Sequence, residues 1–146
     1  MAAQTMTSPP ELQATATRTV VVIDRKLPKG LAANAAAILA LTLGVRRPHL
    51  IGADFDDAAG ASHHGLIPTG LPVLGAAAAE LPALRDAARE RGLLVVDLPS
   101  PGQQTTDYDE FRAAVAASPE LDYLAILVSG PPKIVRAITG QLGLLR

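Results

Sequence analysis

Uninterrupted apolar runs alternate along this chain with segments whose apolar positions recur at helical spacing. Thr19–Ile23, which reads TVVVI, is a continuous β-branched run typical of a strand buried on both faces. Leu93–Leu98 and Tyr123–Val128 have the same character. Three buried strands are therefore predicted.

A helix is predicted soon after the first strand. Leu27 precedes Pro28 and must be extended, so the strand ends in a loop. Helical spacing follows, and Gly44 is expected to end the helix. The face predicted to point inward consists of Leu31, Ala35, Ile38, Leu39 and Thr42.

Weaker patterns fill the rest of the chain. His49–Gly52 predicts a short strand, and Leu71–Leu74 predicts an edge strand because its proline cannot donate a ladder hydrogen bond. Helices are expected at Ala76–Arg91 and at Tyr108–Ala117, the second with Asp107 as N-cap. A further helix is expected after the last strand. This alternation predicts an α/β layered fold with a mostly parallel sheet.

Length and composition favour one domain. With 146 residues, of which 49% are hydrophobic, the chain can bury one core, whereas two domains would each be marginal. We expect residues 18–146 to form this domain and residues 1–17, which are rich in Thr, Ala and Pro, to be a flexible tail. The absence of cysteine excludes disulfides, a thiol nucleophile and Cys-based zinc sites.

The sequence predicts a cytoplasmic protein without membrane contact. The first residues lack the basic segment and apolar core of a secretory signal. The uncharged run Gly30–Val45 is too short to span a bilayer and contains Asn34 and Thr42.

Charge is small overall but unevenly distributed. The net charge of −1 gives no global attraction to nucleic acid. Residues 1–50 hold six Lys/Arg and two acidic residues, whereas residues 51–100 hold three and seven. The surface could therefore present one basic face, although an ordinary solvated surface explains the same pattern.

Two turns are candidates for binding an anion. Lys26–Gly30 follows the first strand, and Ser129–Lys133 follows the last. Each contains proline and enters a helix beside a lysine, Lys29 or Lys133. If the strands are parallel, both turns lie at one edge, where helix N-termini and lysines would suit phosphate. The alternative is that both are simply favourable helix starts.

Polar residues near these turns could carry chemistry. Asn34, one turn into the first helix, could polarise a carbonyl or only bond nearby backbone. Asp97, at the end of a strand and followed by Thr105 and Thr106, could act as a base or form a surface salt bridge. Ser129 lacks the Gly-x-Ser-x-Gly setting of a nucleophile.

No metal or cofactor is predicted. The segment from Asp54 to Gly65 begins like a calcium loop, but Gly65 stands where a bidentate glutamate is required. Adjacent His63 and His64 cannot easily share an ion, so a solvated, mobile loop is the preferred interpretation. Dinucleotide and Walker motifs are absent from the sequence.

Both ends of the chain resemble a known enzyme family. Thr19–Ala37, TVVVIDRKLPKGLAANAAA, and Leu124–Leu145, LAILVSGPPKIVRAITGQLGLL, resemble the opening and closing segments of type II peptidyl-tRNA hydrolases. A bacterial family, domain of unknown function 2000, is more similar still. Its pattern is matched by Lys26–Ala37, Leu71–Leu74 and Thr105–Phe111. The resemblance implies a three-layer α/β/α sandwich with a mixed, mostly parallel four-stranded sheet.

The resemblance also implies a reaction, the hydrolysis of an acyl ester of a tRNA or a related phosphate-bearing substrate. Lys29 would neutralise phosphate or an oxyanion, Asn34 would bond the carbonyl, and Asp97, helped by Thr106, would activate water. Binding would fall to Lys26, Gly30, Ser129, Gly130 and Lys133. In this chain the hydrolases' second loop lysine is missing, and their glutamine is Asn34.

The alternative is a non-catalytic protein. It would use the same helix mouth for a small anionic ligand or a protein partner, as a homodimer. No metal or cofactor is implied by either hypothesis.

Overall fold

A computed structural model describes residues 16–101 and 105–146. The predicted tail, residues 1–17, lies almost entirely outside the described residues. The strands are β1 (Arg18–Asp24), β2 (Phe55–Asp56), β3 (Ser62–His63), β4 (Val73–Ala76), β5 (Leu94–Pro99) and β6 (Tyr123–Gly130). The helices are α1 (Lys29–Arg46), α2 (Leu81–Glu90), α3 (Tyr108–Ala116) and α4 (Pro132–Thr139).

The central sheet is mixed and has the strand order β4-β1-β6-β5. β1 pairs with β4 in parallel, while β6 is antiparallel to both β1 and β5. A mixed four-stranded sheet is therefore confirmed. The prediction of mostly parallel pairing is wrong, because two of the three neighbouring pairs are antiparallel.

The reversal of β6 gives the sheet two edges of different composition. We call the edge where β1, β4 and β5 end and β6 begins the upper edge. It contains Asp24, Ala76, Pro99 and Tyr123. The opposite edge, the lower edge, contains Arg18, Val73, Leu94 and Gly130.

Helices cover both faces of the sheet. α1 packs on one face through Ala32, Ala35, Leu39 and Leu43. α2 and α4 pack on the other through Leu81, Ala88, Val135 and Ile138. Between them, Val20–Ile23 of β1 is completely buried, as the β-branched run predicted. The three layers enclose an aliphatic core.

Several local predictions need correction. His49–Gly52 is not a strand, since Pro48–Leu50 forms a 3-10 turn. Gly44 does not end α1, which continues to Arg46. The edge strand at Leu71–Leu74 is confirmed two residues later, as β4. The helix predicted from Ala76 begins at Leu81, because Ala76 belongs to β4.

The acidic segment Asp54–Gly65 is an ordered hairpin of β2 and β3 rather than the predicted mobile loop. Asp57 accepts backbone N–H bonds from Ala59 and Ala61 in its turn, and its other oxygen lies 2.9 Å from His63 Nε2. A Cβ on Gly65 would lie 1.8 Å from the carbonyl oxygen of Gly52. Only glycine at Gly65 allows this close approach at the hairpin base.

Candidate functional site

A pocket of about 290 Å³ opens at the upper edge, between α1, the end of β5 and the start of α3. Its polar lining comes from Asn34, Thr105, Thr106 and Asp107. Its apolar lining comes from Leu31, Ile38, Leu98, Pro99, Tyr108, Phe111 and Leu124. The volume is close to the lower limit for small-molecule sites, about 300 Å³.

The wall formed by α3 is held by a capping network. Asp107 Oδ1 accepts the N–H bonds of Asp109 and Glu110, at 2.9 and 3.0 Å, which confirms the predicted N-cap. Thr105 Oγ1 accepts from the Asp107 N–H and donates to Glu110 Oε2 at 2.7 Å. Thr105 and Asp107 are thus engaged in holding the helix start.

Among the described residues of the pocket, Asn34 and Thr106 have side chains that make no hydrogen bond, and Asp107 keeps one carboxylate oxygen, Oδ2, unbonded. Neither the Asn34 nor the Thr106 side chain takes part in a hydrogen bond among residues 16–101 and 105–146. Both residues are exposed at the pocket mouth. An amide and a hydroxyl each donate and accept, so together they suit a neutral polar group.

Lys29 lies on another flank of α1. With Ala32, Ala33 and Ala36 it lines a separate pocket of about 360 Å³, together with Arg25 and Arg146. Leu31, Asn34 and Ile38 form a stripe about half a turn away around the helix. Two predicted catalytic residues, Asn34 and Thr106, share a pocket, and Lys29 does not line it.

Neither Gly30 nor Lys26 is among the residues that line these two pockets. A Cβ on Gly30 would meet no heavy atom within 4 Å, so the backbone there is open on that side. The N–H of Lys26 donates to Asp24 Oδ1 at 3.0 Å, which closes the turn after β1.

Asp97 is directed away from the pocket. On β5 its side chain shares the face of the sheet with α2, where Oδ2 accepts from Arg85 Nε at 2.6 Å. These side chains are only 21% (Arg85) and 24% (Asp97) exposed. The hydrogen bond raises the pKa of Arg85, which also lies 5.3 Å over the Tyr123 ring. The salt-bridge interpretation of Asp97 therefore accounts for its contacts, and a shared site with Asn34 does not.

The second proline-containing turn is at the lower edge, so the expectation that both turns share an edge is wrong. Ser129 Oγ lies 2.7 Å from Thr19 Oγ1 in a buried cross-strand pair. A Cβ on Gly130 would meet Leu93 Cδ2 at 2.5 Å, so a larger residue there would require the Leu93 side chain to move. Lys133 is exposed on α4.

The start of α4 offers little to an anion. Pro131 and Pro132 carry no N–H, and the N–H groups of Ile134 and Val135 donate to the Pro131 carbonyl. Within this described turn, Lys133 alone keeps an N–H without a backbone acceptor. The two prolines thus weaken the predicted helix-terminus site.

The apolar lining is what the sequence interpretation missed. Leu31 and Ile38 were assigned to the core face, yet they are 44% and 43% exposed and line the pocket. The uncharged run Gly30–Val45 could have indicated these exposed apolar residues, because α1 has more apolar positions than one buried face can hold.

No metal centre is formed by the histidines and aspartates of the hairpin. Within the described part of the chain, no group of three or more potential protein ligands converges. His63 pairs with Asp57 and stacks on Phe55 at 5.3 Å, while Asp54 accepts from the Gly65 N–H. These side chains stabilise the hairpin.

Fold and pocket define the class: an α/β protein with a mixed four-stranded sheet between helices and a small, mainly apolar pocket at one edge. The chain belongs to the family described as protein of unknown function (DUF2000), whose profile matches residues 17–146. The family membership expected from the sequence is confirmed.

Solved structures support the fold. A protein of unknown function from Agrobacterium tumefaciens strain C58 superposes with a TM-score of 0.81 and 18% identity, over 88% of this chain and 97% of that one. It is one of ten solved chains that match. No curated protein matches. Among the described residues, no helix has the length and apolar character needed to cross a bilayer.

Proposed function

We propose that this protein is a non-catalytic binding protein whose upper-edge pocket takes a small molecule with an apolar body and a neutral hydrogen-bonding group. One observation carries the proposal: Asn34 and Thr106 are open inside an otherwise mainly apolar lining. Since no lysine or arginine is among the described residues that line this pocket, a neutral ligand is favoured over the predicted anion.

Hydrolysis of an acyl ester, including that of a tRNA, is less well supported. A general base must lie within hydrogen-bond reach of the attacking water. Asp97 is bonded to Arg85 on the far face, and Asp107 Oδ1 already accepts two backbone N–H bonds. Asp97 therefore cannot reach a water in this pocket, and Asp107, which lines it, has only Oδ2 left unbonded because Oδ1 caps α3.

The hydrolase hypothesis has its own test. N-blocked aminoacyl-tRNA is incubated with the wild type, Lys29→Ala and Asp97→Asn, and release of the acyl amino acid is followed. We expect no release above the uncatalysed rate from any of the three. Release by the wild type that is lost in both folded variants would establish hydrolysis instead.

Three ligands with the same apolar body test the binding proposal: N-acetyl-leucinamide (neutral), N-acetyl-leucine (anionic) and leucinamide (cationic). For ligands of this size we expect a Kd on the order of 1 mM. Backbone amide NMR shifts should respond most strongly to the neutral compound, at residues around the pocket.

Variants locate the site. Ile38→Trp should fill the pocket and abolish the shifts, whereas Leu41→Trp, which adds the same bulk to a 75% exposed position on α1, should leave them unchanged. Asn34→Ala should weaken binding about fivefold through loss of one hydrogen bond. Absence of shifts with all three ligands, or equal losses in both Trp variants, would overturn the proposal.

The homodimer, cytoplasmic location and protein or tRNA partner inferred from the sequence remain predictions. Sedimentation velocity over a hundredfold concentration range tests the dimer directly. A single species at monomer mass throughout would remove it.

A further inference from the structure

Two arginines converge on a pocket at the lower edge, far from the pocket that holds Asn34. This second site, the arginine pocket, measures about 280 Å³. It lies between the start of β1, the segment before β4, and α4. Its lining consists of Thr17, Arg18, Thr19, Pro68, Thr69, Pro72, Pro132 and Arg136.

Arg18 has a buried side-chain nitrogen without a hydrogen-bond partner. It is half-buried as the first residue of β1, opposite Gly130. Its Nε atom is buried and has no hydrogen-bond partner. A buried donor without an acceptor is costly, and the cost is larger for a charged group, so a negative charge in the pocket beside this guanidinium would offset part of that cost.

Arg136 brings a second positive charge to the same pocket. It is exposed on α4, one turn after Pro132, which also lines the pocket. No aspartate or glutamate is among the described residues that line this pocket. The ion pairs found in residues 16–101 and 105–146 involve other cations, His63, His64, Arg85 and Arg112. Two guanidinium groups thus approach one cavity without a counter-charge from the part of the chain that the structure describes.

The hydroxyl groups of the pocket add further polarity. Thr69 Oγ1 donates to the neighbouring Gly70 carbonyl at 3.2 Å, a long bond that a stronger acceptor could replace. Thr19 is engaged with Ser129 beneath the site. Three of the lining residues are prolines, which restrict the backbone around these groups.

We propose that the arginine pocket binds the phosphate group of a small phosphorylated ligand. Guanidinium forks match the geometry of phosphate oxygens, and two of them neutralise a dianion. The pocket can hold more than inorganic phosphate alone, since about 280 Å³ approaches the size of a small-molecule site. The site is separate from the upper-edge pocket, so it stands whether or not that binding proposal holds.

Titration of the intact protein with inorganic phosphate and with phenyl phosphate, followed by backbone amide NMR, tests the site. Shifts should centre on the start of β1, residues 68–72 and α4, and phenyl phosphate should bind more tightly than phosphate. Benzyl alcohol, which lacks the phosphate group, should cause no shift there.

Arg136→Gln should weaken phenyl phosphate binding at least about tenfold, because one charged fork is lost. Arg136→Lys keeps the charge but not the guanidinium fork, so its Kd should lie between those of the wild type and Arg136→Gln. The matched control is Arg112→Gln, which removes an exposed arginine from α3 and should leave the Kd unchanged within about twofold. Arg18→Gln should match Arg136→Gln, and the exposed position of Arg136 keeps the test valid if Arg18→Gln fails to fold.

Two results would overturn the proposal. One is no shift at these residues with about 20 mM phenyl phosphate, 20 times a Kd on the order of 1 mM expected for a ligand of this size. The other is an equal loss in Arg112→Gln and Arg136→Gln, which would reveal general charge attraction instead of a site.

Discussion

At the scale of single residues, the chemical type of a side chain did not by itself decide whether it belongs to the candidate site. Asn34 and Asp97 both looked capable of chemistry, but their surroundings differ. Asn34 faces an open pocket, whereas Asp97 is bonded to Arg85 on the opposite face of the sheet. A residue's alternation along a strand sets which face it occupies, and a shift of one position changes the assignment.

Asp97→Asn should lower the free energy of unfolding by about 1–3 kcal/mol, because the partly buried guanidinium of Arg85 loses the negative charge of its hydrogen-bond acceptor. The control is Asp86→Asn, which contacts the same arginine at 3.1 Å but is 63% exposed and should cost under about 1 kcal/mol. Urea denaturation measures both. Equal costs would contradict a structural role for Asp97.

Two glycines should respond in opposite ways to alanine. Gly30→Ala should raise the free energy of unfolding by about 0.5–1 kcal/mol, since the site is open and helical. Gly65→Ala should lower it by about 1–3 kcal/mol through the clash with Gly52. Thermal denaturation of both variants measures this. A destabilised Gly30→Ala would mean that the first turn of α1 needs glycine for a reason other than space.

At the scale of elements, α1 shows where pattern reading fails. Alanine, leucine and isoleucine occupy nearly every position of this helix, so periodicity cannot fix which face turns inward. Leu41 and Val45 are 75% and 76% exposed, although their residue types suit a core. By contrast, α3 was predicted closely because Asp107 gives its start a distinct polar signal.

Asp107→Ala should destabilise α3 by about 1 kcal/mol through loss of two accepted N–H bonds. Hydrogen exchange at α3 amides is the measurement, with Asp109→Ala on the same helix as the control. Because α3 is a wall of the upper-edge pocket, ligand binding there should weaken as well. Unchanged exchange in Asp107→Ala would contradict the capping role.

The β2–β3 hairpin should depend on pH through Asp57. Its pKa is lowered, first by the hydrogen bond with His63 and then by backbone N–H donors. A carboxyl whose folded pKa is depressed stabilises the hairpin above its unfolded pKa, and this stabilisation is lost as pH falls through the folded value. An NMR titration of the Asp57 carboxyl in wild type and His63→Ala measures it, and the variant should titrate closer to the ordinary value. The same pKa in both would refute the His63 contribution.

At the scale of the whole molecule, the sequence indicated layers but not strand direction. The apolar runs identified β1, β5 and β6 and the α/β class. They could not reveal that β6 reverses, because a helix between strands usually signals a crossover. Here α3 lies at the upper edge, and Pro99 pairs with Tyr123, so the chain returns from the edge at which it left. The pairing of strands that are distant in sequence therefore decided which residues meet at the upper edge.

That reversal has an energetic consequence for the molecule as a receptor. A four-stranded sheet with openings at opposite ends can be occupied at both without steric competition between the occupants. Each occupant would then raise the free energy of unfolding by its own mass-action increment, and the two increments would add. A departure from additivity would measure energetic coupling between the two pockets. The seven residues of β1 connect them: the first residue of β1 lines the arginine pocket, and the last precedes the turn into α1, which forms a wall of the upper-edge pocket.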